Sequence, residues 1–198
     1  MDRTTWDKIV SASAAVIAVA MIVLGGFAIW GGNFGRDNVQ SRLTPEKVTF
    51  APYDAMSPTE QQTLGAYAGQ QVTTGPQAEA FARYIAGHLA EVNDGKTYAE
   101  TSGAARAEGL DPKVAADLSA KADILFKGET LRSIMLNAYG WWTIATIALY
   151  VGYAMIALGI LLGVLSILGF WHARRTVPAA PGSGDTDNSK LPPVTASV

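Results

Sequence analysis

Residues 141–171, WWTIATIALYVGYAMIALGILLGVLSILGFW, contain no Asp, Glu, Lys, Arg or His. About 20 such residues suffice to cross the hydrocarbon core of a bilayer. Lipid offers no water to the backbone, so a run of this composition has to be helical there. As a helix its 31 residues reach roughly 46 Å, against a hydrocarbon core of about 30 Å. The surplus has to tilt, sink into the headgroups or project from the membrane as a packed helix. The expectation is an integral membrane protein.

A second uncharged run, 9–30 (IVSASAAVIAVAMIVLGGFAIW), has 22 residues and would be about 33 Å long as a helix. A secretory signal peptide is the rival reading. Its apolar region should be about 7–15 residues long and end in an A-x-A-like cleavage site. This run is longer and leaves through Trp30-Gly31-Gly32-Asn33-Phe34-Gly35, so it reads as an uncleaved first span. Two spans put both termini on one side and residues 31–140 on the other. All five tryptophans fall at these boundaries, where an indole can satisfy both its apolar body and its N–H. Trp6 and Trp171 would anchor one interface, and Trp30, Trp141 and Trp142 the other.

Charge orients the hairpin weakly. Arg3, Lys8, Arg174 and Arg175 flank the terminal side, whereas Arg36, Arg42, Lys47, Lys127 and Arg132 lie on the loop side. Long loops translocate largely regardless of charge, so the tight Arg174-Arg175 pair decides for cytoplasmic termini. The expected layout is a cytoplasmic N-terminus (1–8), a transmembrane helix (9–30), an extracytoplasmic, mainly helical domain (31–140), a second transmembrane helix (141–171) and a cytoplasmic tail (172–198). The tail is rich in Pro, Gly, Ser and Asp and has little to bury, so it is expected to be disordered. The fold class is therefore all-α, a two-helix membrane hairpin with a small helical domain between the spans.

Within the loop, residues 31–55 read as irregular, with Val48-Thr49-Phe50 as a short extended stretch ended by Pro52. Ser57-Pro58-Thr59-Glu60 has the form of a capping box and predicts a helix ending by Gly69. Gly75-Pro76 opens a stronger helix, with Ala78, Phe81, Ala82, Ile85, Leu89 and Val92 on one face. Asn93-Asp94-Gly95 would stop it. Thr97 and Glu100 form another capping pattern. Asp111-Pro112 begins a third helix, on which Val114, Leu118, Ala122, Leu125 and Phe126 share a face. Gly128 either breaks that helix or lets it run on through Leu131, Ile134 and Met135 into the second span.

Composition then excludes several chemistries. The formal charge is −2, and the loop carries ten Lys and Arg against thirteen Asp and Glu, so no basic face for nucleic acid is present. Without cysteine there is no disulfide, thiolate metal site or thiol nucleophile. The only histidines, His88 and His172, fall on opposite sides of any two-span arrangement and cannot complete one facial-triad iron site. Gly95-Lys96-Thr97 resembles the end of a phosphate loop, but position 90 is Ala and a helix precedes it. No histidine lies inside a span to ligate haem, and no ionisable residue marks an ion path. No catalytic residue, cofactor or metal is expected.

Small residues supply a different signal. Gly159 and Gly163 form a GxxxG, extended by Gly152 and Ser166; Ser11, Ala14, Ala15, Ala18 and Gly25 make a similar stripe on the first span. Small faces allow close helix approach in lipid. The two stripes either pack on each other within one chain or serve a homo-oligomer or a partner, with the first favoured.

The segments LTPEKVTF (43–50), VTTGPQAEAFARYIAGH (72–88), GKTYAE (95–100) and TLRSIMLNAYGWW (130–142) resemble a family of small actinobacterial two-span membrane proteins. The resemblance covers most of the chain except the tail, and residues 101–123 are longer than the family pattern. Members often carry the label aromatic ring-opening dioxygenase, an activity for which the two separated histidines supply no ligand set. The resemblance implies a bacterial plasma-membrane location. The expected function is a non-catalytic accessory or scaffold subunit of a larger envelope or respiratory membrane complex, in contact with membrane lipid and a protein partner or further copies of itself. The alternative is a membrane-anchored module that binds a lipid or small ligand.

Overall fold

The computed structural model describes residues 3–175. The tail over 176–198, Met1 and Asp2 lie outside the described residues, as do the side chains of Arg3, Thr4, Ala173 and Arg175. Five α-helices account for most of the described chain: α1 Arg3–Leu43, α2 Pro58–Leu64, α3 Gly75–Val92, α4 Tyr98–Ala104 and α5 Pro112–Arg175. The fold is all-helical, with two long apolar helices and a small helical region between them. By length and composition both long helices could span a membrane. Only 11% and 17% of their most apolar windows are buried, unlike the core helices of a soluble domain.

The chain divides into two compact units, Met1–Ala20 with Leu158–Val198, and Met21–Ala157. In the first, the N-terminal part of α1 lies against the C-terminal part of α5. The second holds the rest of both helices and everything between them.

The expected irregular stretch after residue 30 is instead helical as far as Leu43. Three glycines there (Gly31, Gly32 and Gly35) each cost about 1 kcal/mol against alanine by propensity. Packing overrides that cost, because Gly32 and Gly35 bring α1 onto Ala145 and Leu149 of α5. Further along, Val39 and Leu43 enter the core of the helical region. Helix α1 then gives way to a 3-10 turn at Thr44–Glu46, and Lys47 adopts a left-handed φ of 53°.

The core of the second unit gathers around Phe50, which stacks on Tyr67 and meets Phe81 edge-on, with centroids at 5.4 and 5.3 Å. Phe50 belongs to the expected extended stretch. Its partner lies some twenty residues on: Thr49 bridges Gln71, Phe50 N–H donates to Gln70 O at 2.9 Å, and Val72 N–H donates to Val48 O at 2.8 Å. Met56, Leu64, Val72, Ile85, Leu89, Leu125 and Met135 complete the cluster.

All four anticipated helix starts are present. Ser57 and Glu60 form the capping box of α2, which ends at Leu64 and continues as a 3-10 turn to Tyr67. Thr97 and Glu100 do the same for α4. Helix α3 begins with a further box, between Thr74 and Gln77, and buries Ala78, Phe81, Ala82, Ile85 and Leu89. It stops where expected: Asp94 and Gly95 take positive φ, and the buried Asn93 donates from Nδ2 to Thr101 Oγ1 at 2.9 Å.

Helix α5 starts at Pro112, with the Asp111 carboxylate accepting from Lys113 N–H at 2.8 Å. It runs unbroken past Gly128, whose missing side chain makes room for Leu89 of α3. Its expected apolar face is only partly used. Ala122 and Leu125 are buried, whereas Val114 and Phe126 stay exposed.

Candidate functional site

Two features of the long helices are candidates, a seam of small residues and an apolar groove. Along α1 the buried positions include Ser11, Ala18, Gly25, Gly32 and Val39, seven residues apart. Along α5 they include Ala145, Gly152, Gly159 and Ser166, again seven apart. A seven-residue repeat keeps one narrow stripe of each helix facing its neighbour. The operative period is thus seven, not the four of GxxxG.

Within the second unit the seam is tightest at Gly25 and Gly152. A Cβ on Gly25 would lie 2.8 Å from Gly152 O, and one on Gly152 would lie 2.7 Å from Gly25 O. Gly32 is closed in the same way by Leu149 and by Ala145 O, at 2.6 and 2.7 Å. The contact order, with 25 against 152–156 and 32 against 145–149, makes the two helices antiparallel here. In the first unit the buried Ser166 Oγ donates to Ser11 O at 2.6 Å, and Gly169 lies against the Ser11 side chain. Gly163 is looser, its Cβ position 3.9 Å from Ala18 Cβ. The small stripes therefore meet each other within one chain.

Beyond Gly32 the seam meets Arg36. Its Nε and Nη2 donate to Thr146 Oγ1 at 3.2 and 3.0 Å, and the guanidinium sits 5.1 Å from the Trp142 ring centroid. Gly75, the first residue of α3, presses against the Trp142 side chain from within the same unit. Trp142 thus differs from the other expected anchors, being a half-buried docking post for α1 and α3. Trp6, Trp30, Trp141 and Trp171 are exposed, with Trp30 stacked on Phe34 at 5.8 Å, and Arg174 is exposed. The clamping roles of Arg36 and Gly75 carry no local sequence signature; only the continuation of the seven-residue stripe to Val39 foreshadows the longer α1.

Beside this clamp lies a groove of about 880 Å³ between residues 31–48, the end of α1 and the turn after it, and the 131–148 stretch of α5. Phe34, Leu43, Ile134, Met135, Trp141 and Ile144 supply most of its apolar wall. Its polar groups are Asn38, Arg42, Glu46 and Asn137. Asn38 Oδ1 accepts from Arg42 Nε at 2.8 Å and so orients the guanidinium. Sequence reading missed the groove because it treated residues 31–43 as irregular.

The histidines fall in different units. His88 Nε2 is 3.2 Å from Glu60 Oε1 and packs edge-on against Tyr84. Among the described residues, no group of three or more His, Asp or Glu is placed to hold a metal ion. The Ser57 backbone N–H, and then its hydroxyl, hold the Glu60 carboxyl below its ordinary value of 4.5; desolvation opposes this and His88 adds to it. Thr97 lowers Glu100 in the same manner. Both carboxylates are helix caps.

No protein-family model, curated protein or solved structure matches this chain. The class the fold defines is a mostly helical protein with two long apolar helices and, among the described residues, no assembled catalytic or metal site.

Proposed function

We propose that the chain is a two-span plasma-membrane protein with both termini cytoplasmic. It acts without catalysis, as an accessory or scaffold subunit of a larger bacterial envelope or respiratory membrane complex. The observation that carries this reading is the apolar surface of α5 ahead of its uncharged run. Val114, Ile124 and Phe126 are 47%, 51% and 54% exposed, on a stretch that also carries Asp117, Lys121, Asp123, Lys127 and Glu129 and so stands clear of the hydrocarbon. Exposed apolar side chains outside lipid, where they gather into a patch, mark surfaces for another protein. The small-residue seam is filled within the chain, which leaves this part of α5 for the partner. Mild-detergent extraction of the tagged protein followed by intact-complex mass spectrometry tests the reading. A partner at fixed ratio supports it; the protein alone, or only with copies of itself, refutes it. A second reading, binding of a lipid or small ligand, is favoured by the groove.

A further inference from the structure

We infer that the groove between α1 and α5 holds one acyl chain of a glycerophospholipid, with the lipid phosphate at Arg42. The inference rests on the two-span placement proposed above and develops its second reading. The groove begins at Gly31, Phe34, Ile144 and Ala148, which belong to or adjoin the uncharged runs. Trp30, Phe34, Ile144 and Ile147 are 66%, 59%, 59% and 57% exposed. The groove wall is therefore continuous with the faces that meet lipid, and a chain enters it without crossing water.

The polar groups are gathered toward the other end. Arg36 opposite Trp142 and Thr146 sets the register of the two helices. Six residues on along α1 and five back along α5 bring Arg42 and Asn137 to the same level. An apolar trough that ends in a guanidinium, two amides and the Glu46 carboxylate matches an amphiphile whose phosphate meets the Arg42 guanidinium at the membrane surface. A partner helix would want apolar residues along the whole length, and the volume lies in the range of small-ligand sites, about 300–1,000 Å³.

Gly31 gives the test, because it lines the groove and a Cβ there meets nothing within 4 Å. Gly31→Phe adds an aromatic ring at the trough with no clash at its Cβ. The full chain is reconstituted into nanodiscs of equal phosphatidylglycerol and phosphatidylethanolamine, re-extracted in mild detergent and weighed intact. The wild type is expected to retain one phospholipid. Displacing even two methylene groups lowers occupancy about tenfold, so Gly31→Phe should come off essentially bare. Arg42→Gln, an exposed change that keeps the fold, should retain less phospholipid than the wild type.

A wild-type chain that inserts into the nanodisc yet retains no lipid overturns the inference and leaves the two-span placement standing. Equal lipid retention by wild type and Gly31→Phe also overturns it. A chain that fails to insert at all refutes the placement and the inference together. Placing a photoreactive benzoylphenylalanine at Ile134 distinguishes the occupants: an adduct of phospholipid mass supports the inference, and an adduct with a second copy or another protein overturns it.

Discussion

Two adjacent glycine pairs make the seam testable at single-methyl resolution. In Gly25-Gly26 and in Gly31-Gly32, one member is closed against α5 and the other open. A Cβ at Gly25 would stand 2.8 Å from both Gly152 O and Ile156 Cγ1, whereas at Gly26 it would meet nothing within 4 Å. The obstacle at Gly25 includes a backbone oxygen, so relief requires the helices to separate. A gap of about 0.5–1 Å forfeits a quarter to a half of each neighbouring dispersion contact, and overpacking of this kind costs about 1–3 kcal/mol. Gly→Ala also returns up to about 1 kcal/mol of helix propensity, but that gain is common to both positions. The difference between Gly25→Ala and Gly26→Ala therefore isolates packing and should be about 1–3 kcal/mol. Gly32→Ala against Gly31→Ala should behave alike. Denaturant titration of the protein in mixed micelles, followed by tryptophan fluorescence, measures it. Equal stability within each pair would refute a seam closed inside one chain.

Other perturbations probe the helical region. Thr101→Val strands the buried Asn93 amide, which donates to Thr101 Oγ1, and should cost about 1–3 kcal/mol in the same titration. Ser57→Ala removes the cap of α2 and should cost about 1 kcal/mol, with the loss confined to that helix in hydrogen exchange. Glu60 has a lowered folded pKa, so its contribution is fully present above the ordinary value of 4.5 and is lost as pH falls through the folded value. Thermal melts of Glu60→Gln should lack that acid limb, and an unchanged limb would contradict the assignment. Gly75→Ala drives a methyl group into Trp142 and should shift the Trp142 emission and loosen α3, whereas Gly87→Ala, with open space around it, should do neither.

Much of this architecture is written in local chemistry. Uncharged runs announce both long helices, and Ser57/Glu60 and Thr97/Glu100 announce the caps, because each signal operates within a few residues. The extension of α1 to Leu43 is not local. The glycines of 31–35 signal a chain break by propensity, and only Ala145 and Leu149, more than a hundred residues away, make them assets. The pairing of Phe50 with Gln70 is hidden for the same reason, as is the role of Gly75, whose partner Trp142 reads from sequence as an interface anchor. The small stripes were legible as residues, but their period was not: GxxxG suggests four, and burial follows seven.

The central claim is a hairpin with the 31–140 region on one side of a membrane and both ends on the other. The chain contains no cysteine, so single cysteines report cleanly. Asp94→Cys lies in the turn after α3, and Ser183→Cys in the tail outside the described residues. Intact cells are treated with a membrane-impermeant maleimide, then permeabilised and treated again. The account requires Asp94→Cys to label at once and Ser183→Cys only after permeabilisation, with both proteins in the membrane fraction. Labelling of both before permeabilisation, the reverse order, or recovery from the soluble fraction would contradict it.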